Sequence, residues 1–242
     1  MLGQKIKLRQ FRSGYRVAVD SVLLAAAVES SKGQKIADLG CGVGAVSLCI
    51  AWRLPAVLVT GFEREASLVE LAKYNARANG VSERVEVIAA DVTCLSAGSQ
   101  PFDQVVMNPP FHEAASDLSP DSRRNLALRE ADLTAWLDAA ARVLSDKGWL
   151  TVIFRADRQS ELLAAMSQAG FGAVEILPLL PRLGRPAKRI IVRGQMGATG
   201  RLELRPPLIL HDGPSGYSAA AEAILQGGEL RVTPTVLKPT DK

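Results

Sequence analysis

Ile36-Ala37-Asp38-Leu39-Gly40-Cys41-Gly42-Val43-Gly44 sets the architecture of this chain. A short apolar run ending near an acid, three glycines at alternate positions and an apolar-rich segment behind them read as strand, tight turn and helix. Glycine in such a turn lets the backbone approach a ligand with no Cβ in the way. A glycine turn of this kind also occurs in nicotinamide-dependent dehydrogenases, so its neighbours have to decide between ligands.

Working outward, strands are expected near 35–39, 57–62, 85–90, 103–107, 148–154, 173–178 and 188–193, and helices near 16–29, 44–53, 65–79, 132–145 and 158–169. Their alternation argues for βαβ units and a mostly parallel sheet. The link over residues 178–187 is short and proline-broken, so the last two strands should pair antiparallel as a hairpin at the sheet edge. A polar stretch over 112–125 has no sustained period and is expected to order around substrate. The expected organisation is a basic segment with a helix capping the ligand site over 1–34, a main domain over 35–195 and a small appendage over 196–242.

Three further strand ends carry chemistry. Glu63 ends the second strand about twenty residues past the glycine turn, where an acid accepts hydrogen bonds from ribose hydroxyls. Asp91, in Ala89-Ala90-Asp91-Val92, ends the third, where a carboxylate accepts from an adenine amine; the alternative for each acid is a helix N-cap. The fourth strand, Val105-Val106-Met107, runs into Asn108-Pro109-Pro110-Phe111. Prolines lock that backbone, so Asn108 Oδ1 and the Pro109 carbonyl form a pair of acceptors for one planar NH2 group. Gripping its hydrogens favours the pyramidal nitrogen and frees its lone pair for attack. The Phe111 ring offers a stacking face worth about 1–3 kcal/mol for a nucleobase.

With 242 residues, 48% hydrophobic and 22% charged, the chain can bury a full core. Cys41, Cys49 and Cys94 are too few and too irregular for a disulfide framework, and no cysteine–histidine cluster offers a metal site, which fits a reducing cytoplasm. His112 and His211 are the only histidines, which argues against histidine-based catalysis. The basic start and the apolar run from Val17 imitate a secretory leader, but Asp20 and Ser21 interrupt it; an amphipathic helix is expected instead, and no segment reaches bilayer-spanning length. The net charge of +4 is unevenly spread. Residues 1–19 hold five basic residues and no acid, and 176–205 hold seven basic residues against Glu203, whereas 20–175 hold fourteen basic and twenty acidic. Basic flanks around an acidic core suggest a polyanionic partner.

The segment from Asp38 to Gly44, with Glu63, Asp91 and Asn108-Pro109-Pro110-Phe111 in that order and spacing, resembles the class I S-adenosylmethionine-dependent methyltransferases. It is most similar to their amino-methylating branch, whose members modify adenine N6, guanine N2 or the glutamine amide of release factors. The resemblance runs over about residues 4–195. It implies a Rossmann-like α/β fold: a seven-stranded, mostly parallel sheet with an antiparallel last strand and helices on both faces. It implies S-adenosylmethionine as cofactor, held by Asp38, Gly40, Cys41, Gly42, Gly44, Glu63, Arg64, Asp91, Val92 and Asn108, with Asn108, Pro109, Pro110 and Phe111 as the methyl-receiving site and no metal.

A narrower resemblance comes from Gly14-Tyr15-Arg16-Val17-Ala18-Val19-Asp20-Ser21-Val22-Leu23-Leu24-Ala25, from Asn75-Ala76-Arg77-Ala78-Asn79-Gly80 and from residues 119–129. These are similar to the bacterial tRNA(Val) adenine-N6 methyltransferases, which act on the adenine just 3′ of the anticodon. The match implies Arg16, Asp20 and Ser21 as further cofactor contacts and tRNA as partner, tracked by basic segments 1–19 and 176–205. Phe111 replaces the tyrosine common in that family, and Phe111-His112 is also similar to the rRNA guanine-N2 enzymes. Glutamine methylation is the other alternative. Enzymes of that kind carry a helical amino-terminal domain, for which the segment before residue 35 is short.

Overall fold

The computed structural model describes residues 1–12, 17–96, 101–109 and 133–230. Arg16, Pro110, Phe111, His112 and the polar stretch over 112–125 lie outside the described residues. Helices α1 (Val19–Ala26), α2 (Ala45–Arg53), α3 (Ala66–Ala78), α4 (Leu133–Val143) and α5 (Gln159–Gln168) alternate with strands β1 (Lys35–Leu39), β2 (Leu58–Glu63), β3 (Val85–Ala89), β4 (Phe102–Met107) and β5 (Leu144–Arg155). Strands β6 (Phe171–Arg182) and β7 (Arg189–Met196) follow as a hairpin. The sheet runs β3-β2-β1-β4-β5-β7-β6, parallel from β3 to β5, with β7 antiparallel to both neighbours.

Parallel strands need both faces covered, which is why they read as unbroken apolar runs. Val106, Ile153 and Ile191 face one cluster with α1, α2 and α3. Val105, Met107, Val152 and Val192 face a second with α4 and α5. Helix α2 is buried from Ala45 to Ala51, wedged between the sheet and its neighbouring helices.

The hairpin pairs antiparallel at the end of the main sheet, as expected. Its second strand, β7, lies between β5 and β6, where Ile190, Ile191 and Val192 send apolar side chains to both faces. The outer edge of β6 is covered by two short parallel strands, β8 (Glu203–Leu204) and β9 (Leu208–His211), giving nine strands among the described residues. Covering the edge removes an open row of backbone donors and acceptors. Helix α6 (Ala219–Leu225) then packs on α1 and β9. Ser218 caps its start, accepting from the Ala221 N–H at 3.1 Å and donating to the Ile209 carbonyl at 2.7 Å. Arg53 of α2 caps its end through the Ile224 and Gly228 carbonyls, both at 2.6 Å, where a cation suits the helix dipole. No helix among the described residues is long and apolar enough to cross a membrane.

Candidate active site

Parallel register brings the chemistry to one edge. Leu39 pairs with Phe62 on one side and Met107 on the other, and Glu63 pairs with Ala89. The glycine turn, Glu63, Asp91 and Asn108 therefore leave the carboxyl ends of four adjacent strands, β1 to β4, where open α/β sheets bind ligands.

The turn is pinned to β2, since the Gly40 and Cys41 N–H groups both donate to the Phe62 carbonyl at 2.9 and 3.0 Å. Gly40 has φ +69°, and a Cβ built there would lie 2.5 Å from the Trp136 ring of α4. Gly42 has φ +56° and would direct a Cβ into open space, with nothing within 4 Å. Gly44, the N-cap of α2, faces Ala72 of α3 instead, so its smallness serves helix packing. Cys41 is buried, and burial pushes its thiol well above the ordinary value, which leaves an inert neutral side chain packed beside Gly61.

Glu63 closes the turn from outside. Its Oε2 accepts from the Gly42 N–H at 3.0 Å and its Oε1 from the Glu65 N–H at 2.9 Å, and each oxygen keeps a lone pair for a further donor. Arg64 beside it is exposed. Asp91 caps the short 3-10 turn Val92–Cys94: Oδ1 accepts from the Thr93 N–H at 2.8 Å and the Thr93 hydroxyl at 2.7 Å. These bonds hold its carboxyl below the usual range, so the N-cap alternative is realised while an anionic oxygen, Oδ2, is left at the strand tip. Val92 is buried beneath it. Asn108 is half-buried directly after β4, its Oδ1 fully enclosed, with the Pro109 backbone next to it.

Asp38 lies beneath the turn. It is 1% exposed, and its Oδ2 accepts from the Ser47 hydroxyl at 2.6 Å and the Ser47 N–H at 3.1 Å, locking β1 to α2 beneath the turn. Burial pushes its carboxyl up to about 6, with the Ser47 bonds opposing and Glu63 adding to the rise. The folded state thus holds this proton more tightly than the unfolded chain. The resulting stability is complete below the ordinary value of 3.8 and is lost as pH rises through about 6. Because Asp38→Asn removes the titration, urea unfolding of wild type relative to that variant should lose about 3 kcal/mol from about pH 3.5 to about pH 7. A pH-independent difference would mean that Asp38 ionises as freely as in a peptide.

On the other flank of the edge, Asp20 in the first turn of α1 pairs with Arg189 of β7 at 3.2 Å, and Ser21 is buried in the same turn. Sequence reasoning missed Trp136 against Gly40 and Ser47 under Asp38, neither of which has a local signature. Among the described residues no group of three or more His, Cys, Asp or Glu could hold a metal ion.

A doubly covered parallel sheet with an antiparallel β7, a glycine turn after β1 and acids after β2 and β3 is the architecture of the class I methyltransferases. The methyltransferase small domain family matches over residues 11–178, and the chain belongs to that family. Among its relatives, the tRNA1(Val) (adenine(37)-N6)-methyltransferase of Porphyromonas gingivalis is 31% identical over 229 residues, spanning 89% of each chain. The protein of that name from Yersinia enterocolitica is 31% identical over 75% of this chain and 73% of its own. Of the solved structures, a predicted O-methyltransferase from Agrobacterium tumefaciens superposes with a TM-score of 0.74 at 30% identity, covering 89% of this chain and 100% of that one. An O-methyltransferase from Thermotoga maritima, at 17% identity and a TM-score of 0.58, shares the fold over 78% of this chain and 69% of its own.

Proposed function

We propose that this chain transfers a methyl group from S-adenosylmethionine to the exocyclic N6 amine of an adenine in tRNA, with the adenine beside the anticodon of a valine tRNA as its target. The observation that carries the reading is the convergence of the glycine turn, Glu63, Asp91 and Asn108 at the ends of four neighbouring strands. The names of the relatives supply the target base.

The residues suit that cofactor. Gly42 leaves its side open, Glu63 has acceptor capacity for ribose hydroxyls, and Asp91 Oδ2 can accept from the adenine amine. Bound S-adenosylmethionine supplies a methyl group made electrophilic by its sulfonium. The protein then has to align the target nitrogen, which is a positioning task. Asn108 Oδ1, which is enclosed in this structure, holds the amine hydrogens together with the Pro109 carbonyl once substrate entry uncovers it, and the nitrogen loses its proton after it has been methylated and become acidic. A hydroxyl substrate, as for an O-methyltransferase such as the Agrobacterium protein is predicted to be, needs a base to take its proton during transfer. The Asp38 carboxylate is enclosed under the turn and occupied by Ser47, so it does not serve as that base.

The phosphate-tracking surface is narrower than residues 176–205. Arg193 pairs with Glu29 at 3.1 Å and Glu175 at 3.5 Å, and Arg205 with Glu175 at 3.3 Å and Glu203 at 3.5 Å, so acids compensate them. Because β6 runs parallel to β5, the β6–β7 hairpin reaches the same edge as Asn108, and Arg185 and Lys188 there form no salt bridge among the described residues. Reversing both (R185E with K188E) should raise the KM for tRNA and flatten the salt dependence of log affinity by about 1.4. An unchanged slope would remove the hairpin from the interface.

To test the reaction, tRNA transcripts are incubated with the purified protein and methyl-labelled cofactor, then digested to nucleosides for mass spectrometry. Label in N6-methyladenosine of valine tRNA is expected. Label confined to a guanine, a ribose hydroxyl or a glutamine would overturn the reading.

A further inference from the structure

Helix α3 carries two asparagines one turn apart that grip a second stretch of chain by its backbone. Asn79 Oδ1 accepts from the Lys7 N–H at 2.9 Å, and its Nδ2 donates to the Lys7 carbonyl at 2.7 Å. Asn75 repeats the pattern on Arg9, accepting from its N–H and donating to its carbonyl, both at 2.9 Å. The spacings match: four residues along a helix rise about 6 Å, and two along an extended chain about 6.6 Å. Each amide thus takes the place of a neighbouring strand. Asn75 is fully buried, and its Nδ2 also donates to the Val43 carbonyl of the glycine turn at 2.9 Å.

The gripped stretch is the basic amino-terminal one, and it is anchored on both sides of the asparagines. Lys5 lies over the Trp52 ring at 4.6 Å and donates to the Gln226 carbonyl at 3.0 Å. Gln10 Oε1 accepts from the Val17 N–H at 3.0 Å. The Arg9 guanidinium stacks on Tyr74 at 4.3 Å. Lys7, Arg9 and Arg12 are exposed and have no salt-bridge partner among the described residues. The chain passes from Asn79 to Asn75, and so toward the glycine turn at the edge that carries Asn108.

We propose that Asn75 and Asn79 are positioning residues that hold Lys7, Arg9 and Arg12 as a pre-formed cationic rail for the phosphates of the RNA substrate, and that Asn75 joins this rail to the cofactor turn. The inference rests on the tRNA reading above. Holding the arm in place removes the cost of ordering it when RNA binds. The two asparagines then have separable roles. Among the described residues Asn79 hydrogen-bonds only to the arm and its own helix, whereas Asn75 bonds to the arm and the turn.

The test uses the full chain, an unmodified anticodon stem-loop transcript with an unpaired adenine, and S-adenosylhomocysteine in calorimetry. Asn79→Ala should raise the KM for RNA by about five-fold or more and leave kcat at saturating RNA and thioether affinity in place. Asn75→Ala should raise the KM and weaken the thioether as well. Charge reversal of Lys7, Arg9 and Arg12 together should flatten the salt slope of RNA affinity by about 2, from about 0.7 per single-strand phosphate contact. General loosening of the fold would not produce that slope change. Because these three side chains are exposed, their reversal still decides the matter if an asparagine variant fails to fold. An unchanged slope, or an unchanged KM in folded Asn79→Ala, overturns the rail even if wild type binds RNA. A wild type that binds no RNA at any salt overturns the tRNA reading itself.

Discussion

Asn108→Ala should lower turnover on an adenine-containing tRNA by about 10²-fold, the loss expected when a reacting atom is mispositioned by about 1 Å. The variant removes the enclosed Oδ1 at the tip of β4 and leaves the Pro109 carbonyl as the remaining acceptor for an NH2 group with two hydrogens. A single acceptor leaves the amine planar, with its lone pair conjugated with the ring π system. The effect should fall mainly on kcat, measured in single-turnover quench experiments, while thioether affinity drops less because Glu63 and Asp91, proposed to hold the cofactor, lie at the ends of other strands. Asn108→Asp, which keeps an acceptor, should retain more activity than the alanine variant. A loss below about three-fold in Asn108→Ala would mean that the strand tip does not hold the reacting amine.

Two glycines two residues apart should fail in opposite ways. Gly40→Ala forces a side chain onto a backbone at φ +69° and drives its Cβ to 2.5 Å from Trp136. Left-handed strain of about 1–2 kcal/mol and overpacking of about 1–3 kcal/mol predict a total loss of about 2–5 kcal/mol in denaturant unfolding. Gly42→Ala carries only the strain of φ +56°, since nothing in the protein lies within 4 Å of the new methyl. Its stability loss should therefore stay near about 1–2 kcal/mol, while thioether affinity in calorimetry drops about ten-fold or more as the methyl enters the open side of the turn. Equal effects in both assays would show that the two positions do not divide the work between packing and ligand. Trp136→Ala should then rescue part of the Gly40→Ala loss, because it clears the ring that the Cβ meets.

Much of this site was readable in one dimension because each part sits at the end of its own strand. An apolar run followed by glycines, by an acid or by Asn-Pro-Pro carries its signal within a few residues, and parallel βαβ connectivity then brings the ends together. The inward place of β7 was less legible. The short proline-broken link dictated an antiparallel pair but not which member lay next to β5, and the covering strands β8 and β9 are too short to leave a periodic signal. The start of β5 at Leu144, directly behind α4, was also missed; it is set by a bridge to Phe102 and by Lys147 at φ +61°.

Charge shows the same division more sharply. Counting residues marked 1–19 and 176–205 as basic, yet Arg193 and Arg205 are compensated by Glu29, Glu175 and Glu203, while Lys7 and Arg9 are fixed in place by asparagines more than sixty residues away. Asp38, a cofactor contact by resemblance, is buried and bonded to Ser47, which the local sequence does not announce. Residue type and local spacing were enough for the fold class and the order of the strand tips, since these follow from short-range backbone preferences and hydrophobic period. Which charges stay available, which glycine faces a ring and which open space, and what anchors the basic arm depend on burial and on partners distant in sequence, and those arise only when the chain packs.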